Sequence, residues 1–387
     1  MKSVVIISTA DLYYGNSAAV ARMNHYAKAL SLVNVNVYML STRLLDENKE
    51  WVEVEPRVFT LSKEHQKKGK GYSLFYNLRL VHKIKKKLEK IDGEVVALNY
   101  PSTTSLILDI FLLAFCRRIP FFCEVNEVRR FASDEKETLK YRLFCNVLEK
   151  TYKYYTGLVF ISRHIQEYYA IRAKKSIVVP ILSDCKGTFL PSTKLNNFDF
   201  VFLGTVSFLK ENLNELFEGF LLFVHEQPQA KMELYGILSG INKKKLEELI
   251  ARTNSSKNII YKGSLQHTEV PNVLSSASAL VLPRTNNKQN YYGFSTKLSE
   301  YAVSGTPIIL TNTGVVADYF EDRVSCLMCN GYDREAFKAK FEELAGMSLA
   351  EKQKLAENAF FVAKNHFDYR LYSTVLSDFL FETTNNG

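Results

Sequence analysis

Residues 289–310 read QNYYGFSTKLSEYAVSGTPIIL. The segment opens as a polar loop, passes Gly293 and turns into a short helix. Leu298, Tyr301 and Ala302 share one side of that helix, with Lys297, Glu300 and Ser304 along the other. Gly305 is the stop signal, and the apolar run at 307–310 predicts a buried strand. A glycine loop ahead of a helix start lets backbone N–H groups approach a phosphate, and the helix dipole favours that charge. An acid on the same side, here Glu300, is then placed to hold a sugar hydroxyl. The plain alternative is that Lys297 and Glu300, three apart, form a surface ion pair of a few tenths of a kcal/mol.

Outward from this segment the strand and helix patterns alternate. Towards the C-terminal half, residues 198–203, 231–235, 258–261, 279–282 and 324–328 read as further strands, with helices at 213–224 and 243–252 and a helical tail over 333–383. Towards the N-terminus, strands are predicted at 3–9, 35–41, 58–62, 94–98, 120–125, 157–161 and 176–179, and a helix at 74–90. The first of these leads through a loop holding Gly15 into a helix, the opening unit of a dinucleotide-type fold without a G-x-G-x-x-G. Residues 184–197 are polar and carry Gly187 and Pro191, as a linker does. The expectation is an α/β protein of two Rossmann-like domains facing a central cleft, 1–186 and 187–366, with 367–387 a C-terminal helix returning to the first.

A chain of 387 residues, 47% hydrophobic and 24% charged, has the size of two ordinary domains with full cores. Its start reads as a strand, not a signal peptide, and the longest apolar stretch, 106–116, carries Asp109 and is too short to span a bilayer. Six cysteines argue for a reducing compartment. Cys326 and Cys329 form a lone C-x-x-C, half of a tetrahedral shell, and read as buried small hydrophobes.

The segment 289–310 resembles the donor-site signature of the glycogen-synthase-like glycosyltransferases, family 4, which usually reads E-G-F-G with an acid eight positions after the first. Tyr292, Gly293, Phe294 and Ser295 align with the first part and Glu300 with the second acid; Tyr292 departs from the family's glutamate. The resemblance implies a GT-B fold and a retaining transfer of a sugar from a nucleoside diphosphate donor, UDP- or GDP-linked, with Glu300 on the ribose and Gly293, Phe294, Ser295 and Lys297 around it. Gly204 and Lys210 fit the family's glycine and phosphate-clamping lysine at the end of the strand 198–203, where open α/β sheets bind ligands. Thr205 stands where the family has arginine, and Arg284, just past the strand 279–282, is a candidate to replace it.

In the first half the family carries a histidine and an acid after the strand 120–125, positions held here by Asn126 and Glu127. Asn126 cannot act as a base but can hydrogen-bond a hydroxyl, and Glu127 either orients the acceptor or pairs with Arg129 or Arg130. His164, beside the family's serine position at Ser162, reads as a polar residue at a helix start. The resemblance implies no metal and no resident cofactor, and the chain has no D-x-D. Two other classes stay open: a nucleotide-sugar epimerase of the same architecture, and a non-catalytic scaffold, for which Tyr292, Thr205 and Asn126 argue.

Between Arg57 and Lys90 stand eleven Lys and Arg against two acids, a surplus equal to the formal charge of the whole chain, +9. Leu74, Phe75, Leu78, Val81, Ile84 and Leu88 recur there at helical spacing, with Arg79, Lys83, Lys86, Lys87 and Lys90 around them. Most of the apolar set is expected to face the core. The lysines fit an anionic membrane surface, at about 1 kcal/mol each, better than nucleic acid, for which no binding module is present. With the family resemblance this places the protein in the cytoplasm, peripheral on the inner face of the plasma membrane, acting on a lipid-linked or polysaccharide acceptor of a capsule or O-antigen type.

Overall fold

The β-branched run that opens the chain forms β1 (Lys2–Ser8), whose residues 3–7 are all buried. With β2 (Asn36–Ser41), β3 (Val52–Glu55), β4 (Val58–Thr60), β5 (Glu94–Tyr100), β6 (Phe121–Val125), β7 (Gly157–Phe160) and β8 (Ser176–Val178) it makes a sheet of order β3-β4-β2-β1-β5-β6-β7-β8. The helices between are α1 (Ala18–Leu32), α2 (Leu74–Leu88), α3 (Leu106–Phe115), α4 (Leu139–Thr151) and α5 (Arg163–Tyr169). All pairings are parallel except β3 with β4. That edge hairpin was not anticipated. Its VEVE alternation over four residues is too short to stand out, and Arg57, at φ 64°, makes the turn. The structure, a computed structural model, describes residues 1–15, 17–42, 45, 49–61, 74–101, 105–132 and 138–382.

Strand order steps away from β1 in both directions, so right-handed crossovers set α1 on one face of the sheet and α2 to α5 on the other. A late segment, α13 (Ser373–Phe381), joins α1: Leu376, Leu380 and Phe381 pack with Val4, Met23, Tyr26 and Leu30 in one core. This unit is Met1–Asp184 with Asp368–Gly387.

The other unit is Cys185–Phe367. Its strands are β9 (Asp199–Leu203), β10 (Lys231–Tyr235), β11 (Ile259–Gly263), β12 (Ala279–Leu282), β13 (Ile308–Thr311) and β14 (Leu327–Cys329), all parallel in the order β11-β10-β9-β12-β13-β14. The helices are α6 (Leu213–Glu226), α7 (Gly240–Thr253), α8 (Val270–Leu274), α9 (Lys288–Tyr292), α10 (Lys297–Val303), α11 (Arg334–Gly346) and α12 (Leu349–His366). Phenylalanines fill one side of the sheet: Phe200 meets Phe341 edge-on at 4.8 Å, and Phe217, Phe220 and Phe223 of α6 close the cluster. Cys326 and Cys329 are buried, and burial raises both thiols, Cys329 to about 12. Among the described residues no three His, Cys, Asp or Glu gather as a metal site.

Within α2, Val81, Ile84 and Leu88 are buried, whereas Phe75 (83% exposed) and Leu78 (40%) face water. Lys87 is not a surface cation. It is buried and its ammonium donates to the Lys49 carbonyl. Lys63, Lys67, Lys68 and Lys70 lie outside the described residues. No helix among the described residues is long and apolar enough to cross a membrane.

Candidate functional site

In the second unit the strand order reverses between β9 and β12, and their carboxyl ends open the crevice where parallel sheets take ligands. The chain leaves β9 through Gly204, at φ +144°. A Cβ there would stand 2.0 Å from Lys297 Cε, so this glycine is the room in which the Lys297 side chain lies. Lys297 also sits 4.4 Å above the Phe202 ring. One turn further along α10, the Tyr301 hydroxyl accepts from the Leu203 N–H at 2.8 Å and pins the helix to β9. Leu298 and Ala302 are buried beside it. Past the helix, Gly305 is at φ +75° with a would-be Cβ 1.8 Å from the Leu190 carbonyl, which fixes both the turn and the residue type.

At the centre is Glu211, 1% exposed. Its Oε1 lies 2.9 Å from Lys297 Nζ and 3.4 Å from Arg284 Nη1. Arg284 also donates to Ser295 Oγ at 2.6 Å and Asn290 Oδ1 at 3.3 Å. Burial pushes a carboxyl up, but Arg284, Lys297 and Lys210 together win and hold Glu211 below its usual range. For Lys297 burial wins: its ammonium is lowered to about 8, with Glu211 opposing. Burial raises Glu300 to about 7, with Lys297 opposing. Among the described residues no hydrogen bond or ion pair reaches the Glu300 carboxylate, so the ion pair of Lys297 is with Glu211 and not with its helix neighbour.

Glu211 was not among the residues singled out in the sequence. Next to Lys210 an acid reads as a solvated charge, and the only signal was its place directly after the strand-end loop. Lys210 and Thr205 are exposed on that loop. The polar loop expected at 289–292 is instead the short helix α9, capped by the Asn287 side chain, which accepts from the Asn290 N–H at 2.9 Å. In consequence the Gly293 N–H is engaged, donating to the Gln289 carbonyl at 2.9 Å, and is not open to a phosphate. Phe294 is likewise a core residue, stacked on Tyr319 at 5.3 Å and edge-on to Phe367 at 5.7 Å. Ser295, Lys297, Arg284, Lys210 and Glu300 gather at one end of the sheet.

In the first unit, Asn126 follows β6 and donates its side-chain amide to the Tyr100 hydroxyl. Glu127 pairs with Arg129, while Arg130 goes to Asn146 at 2.7 Å and Glu149 at 3.3 Å. Beneath them Glu124 accepts from Arg22 Nε at 2.6 Å and from the Tyr26 hydroxyl at 2.8 Å, all buried. The Gly15 N–H donates to the Asp11 carbonyl at 3.0 Å in the loop after β1. His164 lies in the first turn of α5, which Ser162 caps.

Residues 192–360 match the family model described as Glycosyl transferases group 1. None of the curated proteins matches the chain in sequence. In structure the chain is similar to a sucrose-phosphate synthase from Thermosynechococcus elongatus, at 14% identity and TM-score 0.75 over 100% of both chains. It is similar to an α,α-trehalose 6-phosphate synthase from Burkholderia multivorans at 11% identity, TM-score 0.72 and 99% of each chain. It is also similar to Anabaena HepE, solved in complex with UDP and glucose, at 16% identity and TM-score 0.69 over 98% of this chain and 99% of that one. With these likenesses the two Rossmann-like units are a GT-B fold.

Proposed function

We propose that the protein is a retaining glycosyltransferase that takes a sugar from a nucleoside diphosphate donor and places it on a lipid-linked or polysaccharide acceptor of a cell-surface glycan. The observation that carries this reading is the unbonded Glu300 carboxylate beside the partly exposed Lys297, which Glu211 joins to Arg284, at the switch point of the sheet. That sheet belongs to the unit whose residues match the glycosyltransferase family. A carboxylate accepts two hydroxyls of a ribose, and two cations above a dry floor meet a diphosphate. As the glycosidic bond breaks, negative charge grows on the departing diphosphate, and Arg284, Lys297 and Lys210 stabilise it without reorganising. The first unit would present the acceptor, with the Asn126 side-chain oxygen accepting from a hydroxyl and the Glu127–Arg129 pair bordering it.

The exposed residues of α2 support contact with an anionic membrane: Phe75 and Leu78 stand beside Arg79, Lys85 and Lys86, with Lys90 just beyond the helix. Sedimentation with phosphatidylglycerol vesicles, lost in the Phe75→Ser/Leu78→Ser variant, tests it.

A thermal-shift series with UDP, GDP, CDP, ADP and dTDP tests the donor site. A nucleotide at about 100 times its Kd adds about 2.7 kcal/mol to stability. The UDP and glucose in the HepE structure make UDP the first choice. A shift with no nucleotide at millimolar concentration would favour the scaffold, and conversion of a donor sugar without acceptor, followed by NMR, would favour the epimerase.

A further inference from the structure

We propose that Glu211 is a positioning residue of the donor site, a buried carboxylate that keeps Lys297 charged and joins it to Arg284 as a preset pair of cations for a diphosphate. The proposal rests on the reading of this site as a nucleoside-diphosphate site. Its grounds are geometric. One carboxylate oxygen serves both cations, at 2.9 and 3.4 Å, and the carboxylate itself is closed off from water while side chains of Lys297 (16% exposed) and Arg284 (11%) keep an open edge. A group so placed is the floor beneath the ligand seat, not an occupant of it.

The backbone is tied in the same way. The Glu211 N–H donates to the Ser207 carbonyl at 2.9 Å, and Glu211 forms an isolated antiparallel bridge with Arg284. The loop after β9 and the exit of β12 therefore move as one piece. The other oxygen, Oε2, is buried with no hydrogen-bond partner. An acid kept in that condition is destabilising by itself, so the two cations must offset it.

Lys297 is where the carboxylate matters most. Its ammonium is wedged between the Phe202 ring and the Gly204 backbone, surroundings that favour the neutral amine. The groups facing it are Glu211 from the loop before α6, Arg284 from the exit of β12, Lys210 from the loop after β9 and Glu300 from its own helix. Two of the three neighbours across the crevice are cations, and Glu211 is the acid among those three. Without it, burial and the like charges of Arg284 and Lys210 would be opposed by Glu300 alone, and the ammonium, already lowered to about 8, would lose its proton at lower pH.

The test compares wild type with Glu211→Gln, which keeps the shape, and Glu211→Asp, which keeps the charge. Two quantities are read between pH 6 and 9.5: acetylation of Lys297 in the ligand-free protein, by peptide mass spectrometry, and the Kd for UDP by calorimetry. Taking variant to wild-type ratios cancels the titration of the nucleotide, and the direct Lys297 labelling separates Lys297 from Glu300, which is coupled to it. In Glu211→Gln the midpoint of Lys297 labelling moves down by more than one pH unit. UDP binding at pH 7.5 then weakens by about tenfold or more and recovers towards pH 6, one unit of pKa being about a factor of ten. Glu211→Asp keeps a midpoint near the wild-type one. An unmoved midpoint in a folded Glu211→Gln protein overturns the role assigned to Glu211, whatever happens to binding. Tighter UDP binding in Glu211→Gln overturns it too, because the carboxylate would then be a competitor of the diphosphate. Should wild type bind no nucleoside diphosphate at any pH, the glycosyltransferase reading fails, and the labelling still decides whether Glu211 governs Lys297.

Discussion

Two buried carboxylates, one in each unit, make opposite use of the same chemistry. Glu124 on β6 accepts from Arg22 and Tyr26, and Arg22 spends its remaining donors on the Val179 and Pro180 carbonyls and on Tyr26. Every charge there is answered and nothing reaches water. Glu211 gives one oxygen to two cations, leaves the other oxygen unbonded, and its cations show an edge to solvent. Titration follows the count of cations: burial lifts Glu124 above its usual range despite Arg22, whereas Glu211 is held below it. A saturated pair ties elements together. A pair with surplus positive charge and an open edge has binding capacity left over.

The sharpest way to break the comparison is Arg22→Met. It leaves Glu124 buried and uncompensated, and stability should fall by about 3–5 kcal/mol, read as a lower urea midpoint. Little or no loss would mean that Glu124 simply takes a proton, and the pair would not be the tie it is taken for. Arg284→Ala should do the reverse. The melting temperature falls less than in Arg22→Met, because Lys297 still answers Glu211, but nucleotide affinity drops about 10- to 100-fold, the weight of a bond of about 1.5–3 kcal/mol to a charged group. Unchanged affinity would remove Arg284 from the site.

Smallest is Glu300→Gln. Nucleotide binding weakens several-fold, on the order of 1 kcal/mol for one hydrogen bond. Because the folded carboxyl is raised from 4.5 to about 7, the native state holds this proton more tightly than the unfolded chain, and wild type loses stability as pH rises through that window. Glutamine lacks this contribution while other groups such as buried Asp109 still titrate, so the variant should match or exceed wild type in melting temperature above pH 7, and the difference between the two should grow in the variant's favour as pH rises from 4.5 to 7. A lower melting temperature at pH 8 would show Glu300 to be structural.

The alternating runs were legible because both sheets, the β3–β4 edge aside, are parallel and buried, which makes strands such as FFCEV and ALVL continuous rather than patterned. The amphipathic face of α10 was legible too, since Leu298, Tyr301 and Ala302 have nowhere to go but inward. Glu211 and Arg22 were not. A charge is read as surface until something shows what answers it, and their partners lie 86 and 102 positions away in the chain. The fate of Gly293 turned on α9, which starts at the Asn287 cap on the Asn290 N–H and ends with the Gly293 N–H on the Gln289 carbonyl, a local bond that competes with any ligand for that donor and leaves no mark in hydrophobic pattern.

The late segment that covers α1 has a consequence in time. A ribosome emits β1 to β8 first, yet Leu376, Leu380 and Phe381, which complete the core over that sheet, emerge only after all of Cys185–Phe367. At about 5–20 residues per second the earlier unit waits many seconds with one apolar face covered by α1 alone, while the later unit has everything it needs to fold. The second-made half is thus free to finish first, and the part of the first-made core that awaits α13 is the nascent surface that a chaperone would meet.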